Sequence, residues 1–281
     1  MTPRVRLHLL QAGSCLHPEA MARAGASLCP ARFPALVGLM LHPDQGAVLF
    51  DTGYDPAFGA ATRRWPERLY RLATPVTLAA GESVAEQLPA FGLAPADIRA
   101  VVISHFHGDH VAGLHAFPGA QIFCARAGLG HLRCCGRFGA VRQGMLPGLI
   151  PADLDRRARF FEDLPRRALP STCAPFEGGA DLFGDGSLLA VELPGHCPGH
   201  WGLALRSEDD RLNFMIGDAA WSRRAVRDNA PPPRLTTALL GETVTYRETL
   251  RRLHQLHGRN ADLRIIPSHC PEAAEECDRV G

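Results

Sequence analysis

Lysine is absent from this chain: all 30 of its basic residues are arginine. Chemistry that needs an ammonium group, a Schiff base or a P-loop lysine, is therefore excluded. An excess of charge of either sign is missing too, since 30 basic residues face 29 acidic ones and the net charge is +1. That balance leaves no electrostatic footprint for nucleic acid or anionic lipid. No apolar run approaches the ~18 residues that would cross a bilayer. There is no Gly-x-Ser-x-Gly nucleophile elbow and no Cys-x-x-Cys pair, although cysteine occurs nine times. An odd number of scattered thiols in a 281-residue chain reads as free cysteines in a reducing compartment rather than a disulfide framework. Ala-Gly-Ser precedes Cys15 as in a lipoprotein signal, but Arg6, His8 and Gln11 interrupt the apolar stretch such a signal needs. The expectation is a soluble cytoplasmic protein.

What is present is globular: 46% hydrophobic and 21% charged residues, enough for one large domain over 1–281. Val5, Leu7 and Leu9 alternate as in a half-buried strand, and 15–34 reads as an irregular, proline-punctuated surface loop. Apolar runs at 35–41 and 47–50, joined by His-Pro-Asp-Gln-Gly, predict a hairpin that ends in Asp51-Thr52-Gly53. Further strands are expected at 98–104, 120–124, 188–193, 202–206, 212–217 and 263–266. Helices are expected at 82–91, 125–135 and 242–257, with a helical turn at 95–98. Residues 136–180 lack sheet periodicity and read as an insertion or lid, whose Met145, Leu146, Phe160 and Phe161 line an acyl pocket or simply fill core. Strands mixed with helices in both halves suggest sheets sandwiched by helices, an α/β (α+β) architecture.

The informative run is Ser-His-Phe-His-Gly-Asp-His at 104–110. A His-x-His-x-Asp-His pattern would arise by chance in roughly one chain in 650 of this composition, so it is signal. In an extended segment His105 and His107 point the same way and can grip one metal, and Gly108 allows a turn that throws Asp109 and His110 toward a second position. Imidazole with carboxylate suits zinc, and also Fe, Mn or Co. His196, Asp218 and His269 each follow an apolar strand, as His105 does. Alone, His196 or His269 would be read as a capping or core histidine. Beside the 105–110 run, the set amounts to five His and two Asp, the number that two metals need.

These elements resemble the metallo-β-lactamase superfamily, an αββα sandwich of two mixed sheets with a metal site at the sheet edge. The likeness runs from Leu49-Phe50-Asp51-Thr52-Gly53 to Pro267-Ser268-His269. It implies that His105, His107 and His196 hold a first divalent metal, that Asp109, His110 and His269 hold a second, and that Asp218 bridges them. Asp51 would support the ligands from behind. Pro-Gly-His-Cys-Pro-Gly-His and Gly-Asp-Ala-Ala-Trp are most similar to the N-acyl homoserine lactone lactonase group. That group carries a tyrosine three residues after the bridging aspartate, where this chain has Trp221. An indole N–H can donate a hydrogen bond but is no acid at neutral pH. Trp221 and His200 are further candidates for the pocket wall or for support of the ligands. Cys197 and Cys270 flank ligand histidines, and a buried thiol is the simpler reading for each.

The implied chemistry is a shared hydroxide, its parent water acidified from 15.7 to about 7, attacking a lactone or small ester carbonyl while Asp109 handles the proton. A glyoxalase II-like thioesterase would use the same ligands. A single-iron sulfur oxygenase would leave Asp109 and His110 idle, and a metal-binding sensor would use the fold without turnover. A nuclease is disfavoured by the neutral charge. The expected partner is a small molecule with an ester, lactone or thioester carbonyl, with no nucleic acid and no membrane; a homodimer is among the assemblies allowed.

Overall fold

The computed structural model describes residues 2–260 and 262–278. Among these residues thirteen strands form two sheets. The first contains β1 (Arg6–Pro18), β2 (Pro30–His42), β3 (Gly46–Phe50), β4 (Val76–Thr77), β5 (Ile98–Val102), β6 (Gln121–Cys124) and β7 (Ala158–Phe160), in the order β4-β1-β2-β3-β5-β6-β7. The second contains β8 (Arg166–Ala168), β9 (Gly178–Asp181), β10 (Leu188–Glu192), β11 (Trp201–Arg206), β12 (Leu212–Gly217) and β13 (Arg264–Pro267), in the order β13-β12-β11-β10-β9-β8.

Period-2 alternation sorts these strands' side chains into three apolar layers. Leu36, Met40, Val48, Phe50, Ala100 and Val102 meet Ala190, Leu203, Leu205 and Met215 between the sheets. Their neighbours Val37, Leu39, Leu49 and Val101 turn the other way, onto helical residues such as Val111, Leu129 and Leu132. On the outer face of the second sheet, Val191, Phe214 and Ile265 pack on Leu250, Leu253 and Leu256 of the helix Thr243–Arg259. The result is the four-layer αββα sandwich expected of the sequence.

Two strand directions decide where function can sit. β3, β5, β6 and β7 run parallel, so their carboxyl ends share one edge. In the second sheet β10 and β12 both pair antiparallel with β11, and β13 is parallel to β12, so β10, β12 and β13 also end together. The sheets are tied along this edge, where Trp201 N–H donates to Ser104 O (2.9 Å) and Leu36 N–H to Ser268 O (2.9 Å).

Two readings of the sequence are corrected. Much of 15–34 is strand rather than surface loop: β1 continues to Pro18 and β2 begins at Pro30, leaving a short connection that includes the helix Glu19–Ala22. A register shift between Gln11 and Ser14, with Gly13 at φ +77°, breaks the alternation that would have revealed it. Pro30 and Pro34 are tolerated because β3 pairs only with the Gly38–His42 half of β2, which leaves their missing N–H unneeded. Residues 136–180 do contain sheet: β7 and β8 each close an edge, one per sheet, and three residues are too few to show a period. No disulfide links the nine cysteines. No helix among the described residues is long and apolar enough to cross a membrane.

Candidate metal centre

Each residue expected at the site lies just past a strand that ends on the shared edge. Asp51 follows β3, and His105 follows β5. His107 precedes the one-turn helix Gly108–Val111, which carries Asp109 and His110. His196 follows β10, Asp218 follows β12 and His269 follows β13. All are buried.

Their ligand-capable atoms fall into overlapping groups: His105, His107, His196 and Cys197; His105, His110 and Asp218; Asp109, His110 and His269. Within each group the atoms lie within 4.8 Å of one another. Asp218 faces both ends of the cluster. Its Oδ2 is 3.3 Å from His196 Nε2, while its Oδ1 is 3.2 Å from His269 Nε2 and 3.5 Å from His110 Nε2. Asp109 Oδ2 lies 3.2 Å from His269 Nε2 and 3.7 Å from His110 Nε2. His196 Nε2 and His107 Nδ1 are 3.1 Å apart. Donor atoms around one tetrahedral cation, with bonds of ~2.0–2.1 Å, sit about 3.3 Å from each other, so this spacing suits a shared ion.

The hydrogen bonds behind the ligands fix which nitrogen is free. The Asp51 carboxylate accepts from Ser104 N–H (2.8 Å), the Ser104 hydroxyl (2.8 Å) and His110 Nδ1 (2.7 Å). Because the Ser104 proton is committed to Asp51, Ser104 Oγ must accept from His105 Nδ1, 2.9 Å away. His269 Nδ1 donates to Pro34 O at 2.7 Å. These three imidazoles therefore carry a proton on Nδ1 and turn Nε2 inward. His105 Nε2, His110 Nε2 and Asp218 Oδ1, which face the cluster, are buried with no hydrogen-bond partner among the described residues, as is His107 Nε2, whose ring turns Nδ1 toward His196. The orphaned atoms that face the cluster fit divalent cations and are costly without them. Asp51 itself sits at φ 63°, a left-handed conformation uncommon for a non-glycine, held in place by its three donors. Asp51→Ala is expected to cost about 10–100-fold in metal affinity, measured by competition with a chromophoric chelator.

Charge divides the cluster. Burial pushes His107 down to about 4 against the pull of Asp109 and Asp218, and burial with the neighbouring histidines lowers His105. Those two are neutral imidazoles ready to coordinate. At the other end burial opposes protonation, but Asp51, Asp109 and Asp218 outweigh it and lift His110 to about 10. Asp218 is held well below the usual carboxylate range, because His269 and His110 overcome the effect of its burial. This end thus attracts positive charge strongly.

His200 supports a ligand's backbone and is not in any ligand group of the described residues. Its Nδ1 donates to Leu193 O (3.0 Å) and its Nε2 accepts from Asp218 N–H (3.0 Å). Trp221 lies 5.0 Å from His269 with the rings tilted by 55°, and edge-on at 5.2 Å against Phe33. Cys197 Sγ lies within the first group, whereas Cys270 Sγ accepts Arg223 N–H at 3.3 Å.

Above the cluster opens a cavity of about 500 Å³, with His107, Asp109, Asp218, His269 and Trp221 among its lining residues. Its apolar wall comes from Leu69, Phe138, Val141, Leu239 and Leu240. Met145, Leu146 and Phe161 are core side chains instead, and Phe160 lies under the Arg126 guanidinium at 4.1 Å. The sequence did not point to Ser104 or Pro34 behind the ligands, nor to Tyr54 and Met21 among the residues lining the cavity. A serine beside the first ligand histidine was the available signal for Ser104; the others are placed by tertiary packing alone.

Known proteins resemble this chain in sequence and in fold. The profile of the Metallo-beta-lactamase superfamily matches residues 32–269. An N-acyl homoserine lactonase, AttM, of Azorhizobium caulinodans is 26% identical over 272 residues, covering 96% of this chain and 94% of its own length. A probable metallo-hydrolase of Mycobacterium tuberculosis is 28% identical over 246 residues, covering 83% of this chain and 74% of its own. Among solved structures, an N-acyl homoserine lactone hydrolase with N-hexanoyl-L-homoserine at its catalytic metal centre superposes with TM-score 0.74 at 18% identity, covering 100% of this chain and 98% of its own. AidC, a dizinc quorum-quenching lactonase, gives TM-score 0.64 at 16% identity, covering 96% and 89%.

Proposed function

The chain belongs to the metallo-β-lactamase superfamily, and from that premise we propose that it is a dinuclear metal-dependent hydrolase that opens lactones. The observation that carries this reading is Asp218, with one oxygen toward each half of a seven-residue cluster on the floor of a largely apolar cavity. His105, His107 and His196 would hold one cation, and Asp109, His110 and His269 the other. Asp218 would touch both. Zinc suits this donor set, as do iron, manganese and cobalt. Bound there, the cations supply a water acidified toward neutrality and Lewis-acid polarisation of the substrate carbonyl.

The chain's own residues do the rest. Asp109 is the more exposed of the two cluster carboxylates, 8% against 2% for Asp218, and it lines the cavity. His110 and His269 keep Asp109 ionised despite its burial, so it can take the nucleophile's proton at Oδ and pass it to the departing ring oxygen. Ser104, Asp51 and Pro34 O hold three imidazoles in the ligating tautomer, so little reorganisation is left for the reaction. Leu69, Phe138 and Leu239 offer an apolar lodging for the substrate's acyl part. The names of the AttM and lactone-hydrolase relatives support a lactone as substrate.

A panel of acyl homoserine lactones, aryl esters and acyl thioesters tests the assignment on metal-loaded protein. Turnover of the lactones well above the thioesters is expected. Good thioester turnover with inert lactones would give the site to thioester cleavage, and tight binding without turnover would make it a sensor.

A further inference from the structure

The net charge of +1 conceals an uneven distribution. Residues 56–75 and 137–142 carry six arginines and a single acidic residue, Glu67. The two segments form one face. Arg137 donates to Glu67 Oε1 (2.9 Å), to Glu67 Oε2 (2.8 Å) and to Trp65 O (3.0 Å). Arg63 and Arg64 line the same surface depression as Glu67 and Arg137, and Arg142 lines the mouth of the metal-site cavity with Leu69 and Phe138. Glu67 is already taken by Arg137, so Arg63, Arg64, Arg68, Arg71 and Arg142 have no ion-pair partner among the described residues.

The same face is apolar. Trp65, Leu72 and Phe138 are 59%, 63% and 62% exposed, where a surface normally scatters such side chains singly. The helix Arg68–Ala73 turns them outward. Helical spacing sets Leu69 and Leu72 on one side with Trp65 in the turn just before, while Tyr70 points the other way and meets Phe58 edge-on at 5.3 Å. Across the cavity mouth the exposed Met21 and Leu239 continue the apolar rim. Indole, leucine and phenylalanine side chains ringed by arginines match a headgroup layer: the apolar groups enter the acyl boundary and the guanidinium groups stay with the phosphates. A second copy of this chain fits the face poorly, because a twofold contact would press its unpaired arginines against one another.

We propose that this face docks the protein on an anionic lipid bilayer. The inference replaces the expectation of no membrane partner, which rested on net charge, and it does not depend on the hydrolase reading. The cavity over the metal centre opens on the docked face, since Leu69 and Phe138 belong to both.

The test is co-sedimentation of the metal-loaded protein with vesicles of equal parts phosphatidylcholine and phosphatidylglycerol, against vesicles of phosphatidylcholine alone. Binding is expected to the mixed vesicles only, and it should weaken as salt is raised. Trp65 is a built-in reporter: its emission should move to the blue on the mixed vesicles, and most of that shift should vanish in Trp65→Phe. Arg68→Gln with Arg71→Gln should lower the affinity about 25-fold, about fivefold for each charge near such a surface. Leu72→Ser should lower it about five- to tenfold. These side chains are exposed, so the melting temperature should not change. Equal binding to the neutral vesicles, or none to either kind, overturns the proposal, as does undiminished binding by the double arginine variant. Self-association that shifts Trp65 emission without vesicles, seen by sedimentation velocity, also overturns it and gives the face to a second copy.

Discussion

Alanine at both His105 and His110 should yield a chain that folds, binds no stoichiometric metal and loses activity by about 10⁴-fold or more. The two positions are chosen because they fall in different parts of the cluster. His105 belongs with His107 and His196, His110 with Asp109 and His269, and both reach Asp218. Removing them leaves each half one donor short, and the remaining groups lose the alignment that Ser104 and Asp51 impose. Elemental analysis, circular dichroism and kcat/KM on the same preparation separate the outcomes. A folded variant that keeps both its metal and its turnover would end the metallohydrolase account.

Stripping the metals from the intact protein should be nearly as consequential for stability. The apo site buries four polar atoms with no partner among the described residues, and it crowds Asp109 and Asp218 among histidines of opposed protonation. Cations that bind only the folded state add about 2.7 kcal/mol each at one hundred times their dissociation constant. Two of them give about 5 kcal/mol. At about 2–4 °C per kcal/mol for a chain of this size, a chelator such as dipicolinate should lower the melting temperature by about 10–20 °C, and zinc should restore it. A transition indifferent to chelation would mean that the cluster is satisfied without ions.

The parts of the fold legible in the sequence were those whose side chains obey a simple period. The runs at 98–104, 188–193 and 212–217 became β5, β10 and β12, and Leu250, Leu253 and Leu256 mark the buried face of the long helix. The 104–110 run declared itself because chance rarely crowds three histidines and an aspartate. His196, Asp218 and His269 were legible only through their common place after strands, and the structure brings them to that run because β10, β12 and β13 end on one edge. What stayed hidden depends on contacts between distant segments. β7 and β8 are defined by their neighbours, β1 by a bulge, and Pro34 O by the pairing of β2. Met145, Leu146, Phe160 and Phe161 were open between pocket and core; Met145, Leu146 and Phe161 are core, and the cavity wall is built by Leu69, Phe138 and Leu239 from separate helices. Apolar residues at helical spacing look alike whether they face core or substrate.

Anomalous diffraction from crystals of the metal-loaded protein, collected at the metal's absorption edge, tests the central claim most directly. Two peaks of comparable height are predicted, one among His105, His107 and His196, the other among Asp109, His110 and His269, with an Asp218 oxygen on each. A single peak, or two with Asp218 turned away from either, would contradict it.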